Sequence, residues 1–467
     1  MCLMATMLSA SVVKTITTTA AGSLSTLISV DESTTVTDLI VTGPIDAQDF
    51  KFMRDNLTVL ATVDLSNASI VAYTGTNGTQ SAAAIDYPAN TVPNSAFKMT
   101  AGKASLISVI LPNSIVAFAD NAFYKCTGLT TINIPSTVTT IGQMCFMYCS
   151  RLASVTLPPN LVTISMSTFY NCANLTSMVI PSSVSTINNS AFIGCTGLTN
   201  ILLPSTVTSM GGSLFSGCTG LKSAVMPNSL TSSGNGTFNG CSSLTTVTLP
   251  SAITLIDQSS FRNCSALTEF VIPPTVKTLG VSCFLGCTSL LSIEIPSSVV
   301  TTNLSMFMGC SSLAKVIFDE NASTSFMGNQ SFQDCLSLKE IYLNRAIVPY
   351  SAASFFQNVV VGNVKLYVPA ASLGLYQANT FWSTFQSVSA ITTTAVNTVK
   401  GDDFKVYPTQ SGLSVNSIVA NELIEVYSTL GVRVASVLSQ VGSNTVNLPK
   451  GAIYIVRMGG RSNKVIL

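Results

Sequence analysis

From about residue 104 the chain repeats one arrangement of apolar and polar positions, Leu-x-x-Ile/Val-x-Ile/Leu-Pro-x-x-Val-x-x-Ile-x-x-x-x-Phe-x-x-Cys. Phe-x-x-Cys recurs at Phe123, Phe146, Phe169, Phe192, Phe215, Phe238, Phe261, Phe284 and Phe307, each 23 residues after the last, and two extra residues delay the next copy to Phe332. A Leu stands three residues past each of these Cys, from Leu129 to Leu338. The stretch Leu175–Ile180 has the length and β-branched content of a short strand. Pro181 then ends it, having no N–H to donate. A second short segment follows, with Val184 and Ile187 as its inward pair.

One such unit cannot fold alone. Its six or so large apolar side chains contribute about 1.5–3 kcal/mol each, and ordering the backbone costs about 1–2 kcal/mol per residue. Stacking must supply the difference, so stability lies between coils. The pattern predicts a mainly β solenoid of 23-residue coils with parallel sheets, its interior side chains in Phe, Leu and Cys columns. Roughly eleven coils at about 4.8 Å give a body near 50 Å long.

The flanking segments read differently. Residues 1–13 resemble the apolar part of a signal peptide, a remnant without the usual basic start, and residues 14–103 form a cap region. The solenoid with its closing coil spans 104–386, and a Thr/Val/Ser linker covers 387–402. From 403 to 467, short alternating runs such as Ile424–Tyr427 and Ile453–Val456 recur about every ten residues, which predicts a small antiparallel β-sandwich.

Composition narrows the function. Charged residues make up 9% of the chain, apolar residues 47%, and the net charge is +1, which leaves no basic stripe for nucleic acid. No apolar run is long enough for a transmembrane helix. Histidine is absent, which removes Ser-His-Asp and Cys-His catalysis and His-ligated zinc. No catalytic residue, cofactor-binding residue or metal ligand stands out, and the expectation is a non-enzymatic protein. Ten of the 13 cysteines fall at one core position per coil. They read as buried thiols donating weakly to turn carbonyls rather than as disulfides. Gly234-Asn235-Gly236 has the composition of a phosphate loop but occupies turn positions of one repeat.

Function then falls to the exposed columns of the first strand. Two residues past each repeat Leu the side chains are small and polar. Four residues past it stand Val179, Leu202, Val225, Val271, Ile317 and Tyr342. Val179, Leu202 and Val225 occupy consecutive coils and predict an apolar stripe where a partner docks. One Trp in the chain and few Tyr in these columns argue against a sugar-stacking platform there.

The Leu-x-x-Ile-x-Leu-Pro and Ala-Phe-x-x-Cys elements, over about residues 104–370, resemble the BspA-type leucine-rich repeats of bacterial and protist surface proteins. The resemblance implies a secreted or cell-surface, outer-membrane-attached monomer that binds other proteins, such as host matrix or cell-surface proteins, in adhesion. Capture of glycans or nutrients is the alternative. The tail, with Val406-Tyr407-Pro408, Leu430-Gly431 and Leu448–Val456, resembles the type A sorting domain of type IX secretion. Thr409-Gln410 stands where that family commonly has Asn-Pro.

Overall fold

The computed structural model describes residues 11–80, 84–99, 101–319, 328–349 and 353–391, together with seven strands between Phe404 and Ile466. Residues 1–10 of the signal-peptide remnant, and the linker from 392 on, lie outside the described residues. The chain divides into two units, one up to Ala390 and one from Ile391.

The first unit is a parallel β-solenoid of about fifteen turns. One side carries strands in three parallel sheets. Val13–Thr17, Asp38–Ile45, Thr62–Ile70, Ser108–Ile110 and Thr131–Ile132 form the first. Asn200–Leu202, Ser223–Val225 and Thr246–Thr248 form the second. Ser292–Ile295, Lys315–Phe318, Glu340–Leu343, Lys365–Val368 and Ser387–Ala390 form the third. A second side carries two-residue strands such as Thr163–Ile164, Thr186–Ile187 and Ser209–Met210, again parallel and paired 23 residues apart. The strand side is not continuous: residues 151–158, 174–181 and 267–273 pass through without strand pairing.

The third side is the Phe-x-x-Cys turn, and it has a ladder of its own. The amide of Phe192 donates to the Leu214 carbonyl at 3.1 Å, and that of Phe215 to Thr237 at 2.8 Å. Inside, Phe169, Phe192 and Phe215 are fully buried, with ring centroids 5.6 and 5.5 Å apart. Rings this close and nearly parallel stack in offset fashion. Beside them runs the Cys column. Cys195 Sγ donates to the Phe169 carbonyl and Cys218 Sγ to that of Phe192, both at 3.1 Å, as the sequence led us to expect. At several of the corners after Pro a hydroxyl ties one coil to the one before, as where Ser183 donates to the Leu161 carbonyl at 2.7 Å and Thr206 to that of Val184 at 2.8 Å.

Each turn needs a left-handed residue just before its Cys. Gly194, Gly217, Gly240, Gly286 and Gly309 fill the position at φ near 70–75°, whereas Lys125, Tyr148 and Asn171 hold it at 59°, 64° and 55°. A side chain in this region costs about 1–2 kcal/mol relative to glycine.

The solenoid begins earlier than residue 104. Val13–Thr17, Asp38–Ile45 and Thr62–Ile70 pair in register with one another and then with Ser108–Ile110. The region read as a cap therefore contributes rungs of its own, and the body comes to about 70 Å at the usual strand spacing. In one of these rungs a helix, Ala47–Asp55, replaces the turn. Asp46 caps its first turn, and Asp49 accepts from the amides of Gly22, Leu24 and Asp46. Buried Lys103 donates to the Leu57 carbonyl at 3.0 Å and to that of Arg54 at 3.3 Å, just past the helix. Phe50 on this helix meets Phe97 edge-on at 5.8 Å, and Phe97 stacks on Phe123, so the ring column starts there. At the other end Trp382 is fully buried and its indole N–H donates to the Pro349 carbonyl at 3.1 Å.

The second unit has two antiparallel sheets. Phe404–Pro408, Gly412–Ser417 and Gly442–Asn447 form one. Arg433–Leu438, Leu423–Ser428, Ile453–Met458 and Arg461–Ile466 form the other. Val415 and Val446 are buried from the first sheet, and Ile424, Val426 and Val456 from the second.

Candidate binding surface

The column four residues past each repeat Leu points outward along the strand side, but its members differ in exposure. Val179 is 81% exposed, Leu202 65% and Val271 84%. Val225 and Ile317 are half-buried. Tyr342, expected on the open face, is 6% exposed. Its ring stacks on Tyr367 one coil on at 4.4 Å, and the Lys315 ammonium lies 4.5 Å over it. Those neighbours cover it, and two-residue spacing along one strand could not reveal them.

Leu202 pairs in register with Val225, and Val225 with Thr248. Val179 sits one coil before Leu202, in a segment of the strand side that has no strand pairing. Between Arg151 and Lys222 the chain has no charged residue at all. Val179 and Leu202 therefore lie in a stretch without charged side chains, where apolar contact is not opposed by the cost of desolvating charge. The far end of the same face is different. There Glu294, Ile317 and Tyr342 align, and burial together with Asp319 raises the carboxyl of Glu294.

The twelve described cysteines are buried. Burial pushes each one up, to about 12 at Cys126, Cys218, Cys264 and Cys310. A thiol held protonated is neither a nucleophile nor a metal ligand. All twelve described cysteines are free. At Gly234-Asn235-Gly236 the Gly234 amide donates to the Asp257 carboxylate at 2.9 Å, and the Ser232 hydroxyl donates to it as well. Ser233 takes the inward place of the usual apolar residue and pairs with Ser260 at 2.8 Å. The donor groups of this loop are spent inside the coil rather than aimed at a phosphate.

Against known families, the model of the BspA type leucine-rich repeat region matches in six copies, over residues 74–197, 162–287 and 254–384. The chain belongs to the BspA-type leucine-rich repeat family. Among solved structures it is similar to a leucine-rich repeat protein from Bacteroides ovatus, at 26% identity over 60% of this chain and 88% of that one, with a TM-score of 0.42. A leucine-rich repeat protein of T. pallidum is 29% identical over 39% of this chain and 78% of that one, with a TM-score of 0.32. A leucine rich cell surface protein from Faecalibacterium prausnitzii is 23% identical over 68% and 87%, with a TM-score of 0.39. No curated protein matches the sequence.

Within the BspA-type repeat the two variable positions of Phe-x-x-Cys hold a second surface feature. Tyr124, Tyr148 and Tyr170 lie half-buried on the turn edge of three successive coils, their rings 6.0 and 5.5 Å apart. The Lys98 ammonium lies 5.0 Å from the Tyr124 ring centre, and that of Lys125 lies 5.7 Å from Tyr124 and 5.9 Å from Tyr148. The signal was in the sequence, as Phe-Tyr-Lys-Cys, Phe-Met-Tyr-Cys and Phe-Tyr-Asn-Cys in a row.

Proposed function

We propose that this chain is a secreted or cell-surface binding protein without catalytic activity, which docks a protein partner on the strand side of its solenoid around Val179, Leu202 and Val225. The observation that carries this reading is the exposure of Val179 and Leu202 inside a charge-free stretch. Large exposed aliphatic side chains on a rigid face are the usual mark of an interaction site. Membership of the BspA-type family supports the same reading, since repeat solenoids present extended faces of this kind. Val271 and Ile317 extend the face, and Tyr342 stiffens its far end from beneath Lys315 and Tyr367.

The test is a panel of immobilised matrix and cell-surface proteins, probed with the full chain and with the Val179→Glu, Leu202→Glu double variant. Both side chains are exposed, so the variant should melt within a few degrees of the parent. We expect a partner bound by the parent to be lost at least about tenfold, because two buried charges without partners oppose docking. Undiminished binding by the variant would place the site elsewhere. The seven-stranded second unit we assign as the export signal, on the resemblance of its Tyr-Pro opening and Leu-Pro-Lys-Gly closing motifs to the type A sorting domain. Residues 403–467 fused to a secreted reporter should carry it to the surface of a bacterium that has type IX export. Retention in the periplasm would contradict the assignment.

A further inference from the structure

We infer that the Tyr124–Tyr148–Tyr170 edge, with Lys98 and Lys125, is a binding site for an acidic polysaccharide, distinct from the apolar strand side and independent of its role. Three features of the edge point this way. First, like groups recur at even spacing, 6.0 and then 5.5 Å between ring centres. Such an array suits a polymer of like units lying along the coils better than the irregular surface of a folded protein. Second, the cations are already seated over the rings of Tyr124 and Tyr148. An aromatic face that carries a cation has no need of a cationic ligand; the array presents ammonium groups and phenol hydroxyls together, which fit carboxylates and sugar hydroxyls.

Third, two of the residues, Lys125 and Tyr148, are held there against local preference. At the left-handed position before each Cys, five later coils have glycine and three have Asn171, Asn263 or Asp334, residue types that enter this region most readily, whereas here it holds Lys125 and Tyr148. Strain of this kind gathers where a side chain is needed for function. Further along the same edge the paired positions hold Ile193 and Gly194, Ser216 and Gly217, then Asn239 and Gly240, so the feature is confined to three coils. The absence of a sugar platform expected from the strand columns does not extend to this edge.

The experiment titrates the full chain by calorimetry with oligogalacturonate, with a neutral cello-oligosaccharide and with poly-glutamate. The parent should bind oligogalacturonate most tightly, and the affinity should fall as salt rises. Tyr148→Gly and Lys125→Gly install the residue that other coils carry, so each variant should melt at or above the parent temperature while binding about tenfold more weakly. Asn239→Ala, at the same edge three coils beyond Tyr170, should bind like the parent. No binding of oligogalacturonate by the parent, equal binding of the neutral sugar, tighter binding of poly-glutamate, or unchanged affinity in both glycine variants would each overturn the assignment.

Discussion

Removing one ring from the Phe column tests whether the coils are held from within. Phe192 is fully buried, with Phe169 at 5.6 Å and 8° on one side and Phe215 at 5.5 Å and 14° on the other. Phe192→Ala removes the apolar burial of a whole ring and leaves a space that two stiff neighbouring rungs cannot close. Substitutions of this type cost about 3–5 kcal/mol, and the two ring contacts place this one in the upper half of that range. Because each coil touches only its neighbours, the loss is local before it is global. Urea unfolding followed by far-UV circular dichroism should show a lower midpoint. Hydrogen exchange should show amides from about 169 to 215 opening before those near 300. The half-buried Ile193, next in sequence but on the turn edge, supplies the control: Ile193→Ser should change stability by no more than about 1 kcal/mol. A Phe192→Ala protein no less stable than Ile193→Ser would refute the argument that interior columns hold the solenoid.

Two further expectations concern the turns and the thiols. Gly217→Ala meets only ordinary contacts, the nearest atom lying 3.8 Å from the new Cβ, so its φ of +71° decides and it should cost about 1 kcal/mol. Gly220→Ala drives its Cβ to 2.2 Å from the Thr196 carbonyl oxygen and should cost about 2 kcal/mol or more; equal melting temperatures for the two would count against the turn geometry. For the thiols, burial raises Cys218 and Cys264 from an ordinary value near 9 to about 12. Above pH 9 the unfolded chain loses these protons while the native one keeps them, so stability is complete below that pH and declines as pH rises toward 12. Each thiol contributes a slope on the order of 1.4 kcal/mol per pH unit. The Cys218→Ala, Cys264→Ala double variant should show a shallower alkaline decline in urea midpoint, and an identical decline would exclude the thiols as its cause.

Much of the fold was legible because the packing constraint is the same in every coil. A ring, a leucine and a thiol must each meet their counterpart one rung away, and that requirement writes the 23-residue period directly into the sequence. Where the constraint changes, legibility fails. One rung before residue 104 closes with the helix Ala47–Asp55 rather than a Phe-x-x-Cys turn, and no Phe-x-x-Cys stands in this region, so it reads only as a cap. Tyr342 obeys the outward alternation of its strand, yet its burial depends on Tyr367 and Lys315 in other coils, which spacing within one strand does not encode. The tyrosine edge was hidden for the opposite reason: its residues stand at positions the repeat leaves free, and freedom from packing is what makes such positions available for binding. The strand side is also interrupted where the period shows no break: the segments carrying Val179 and Val271 lack strand pairing although their interior residues keep the period.

The proposed docking face is made of outer side chains of the stacked coils, not of the interior or the turns. Hydrogen exchange of the full chain, alone and saturated with a matrix or cell-surface protein from the binding panel, reads this directly. Slowed exchange should concentrate in peptides containing 176–180, 199–203 and 222–226, with the Phe-x-x-Cys turns of the same coils unchanged. Protection confined to those turns, or spread evenly over the solenoid, would contradict it.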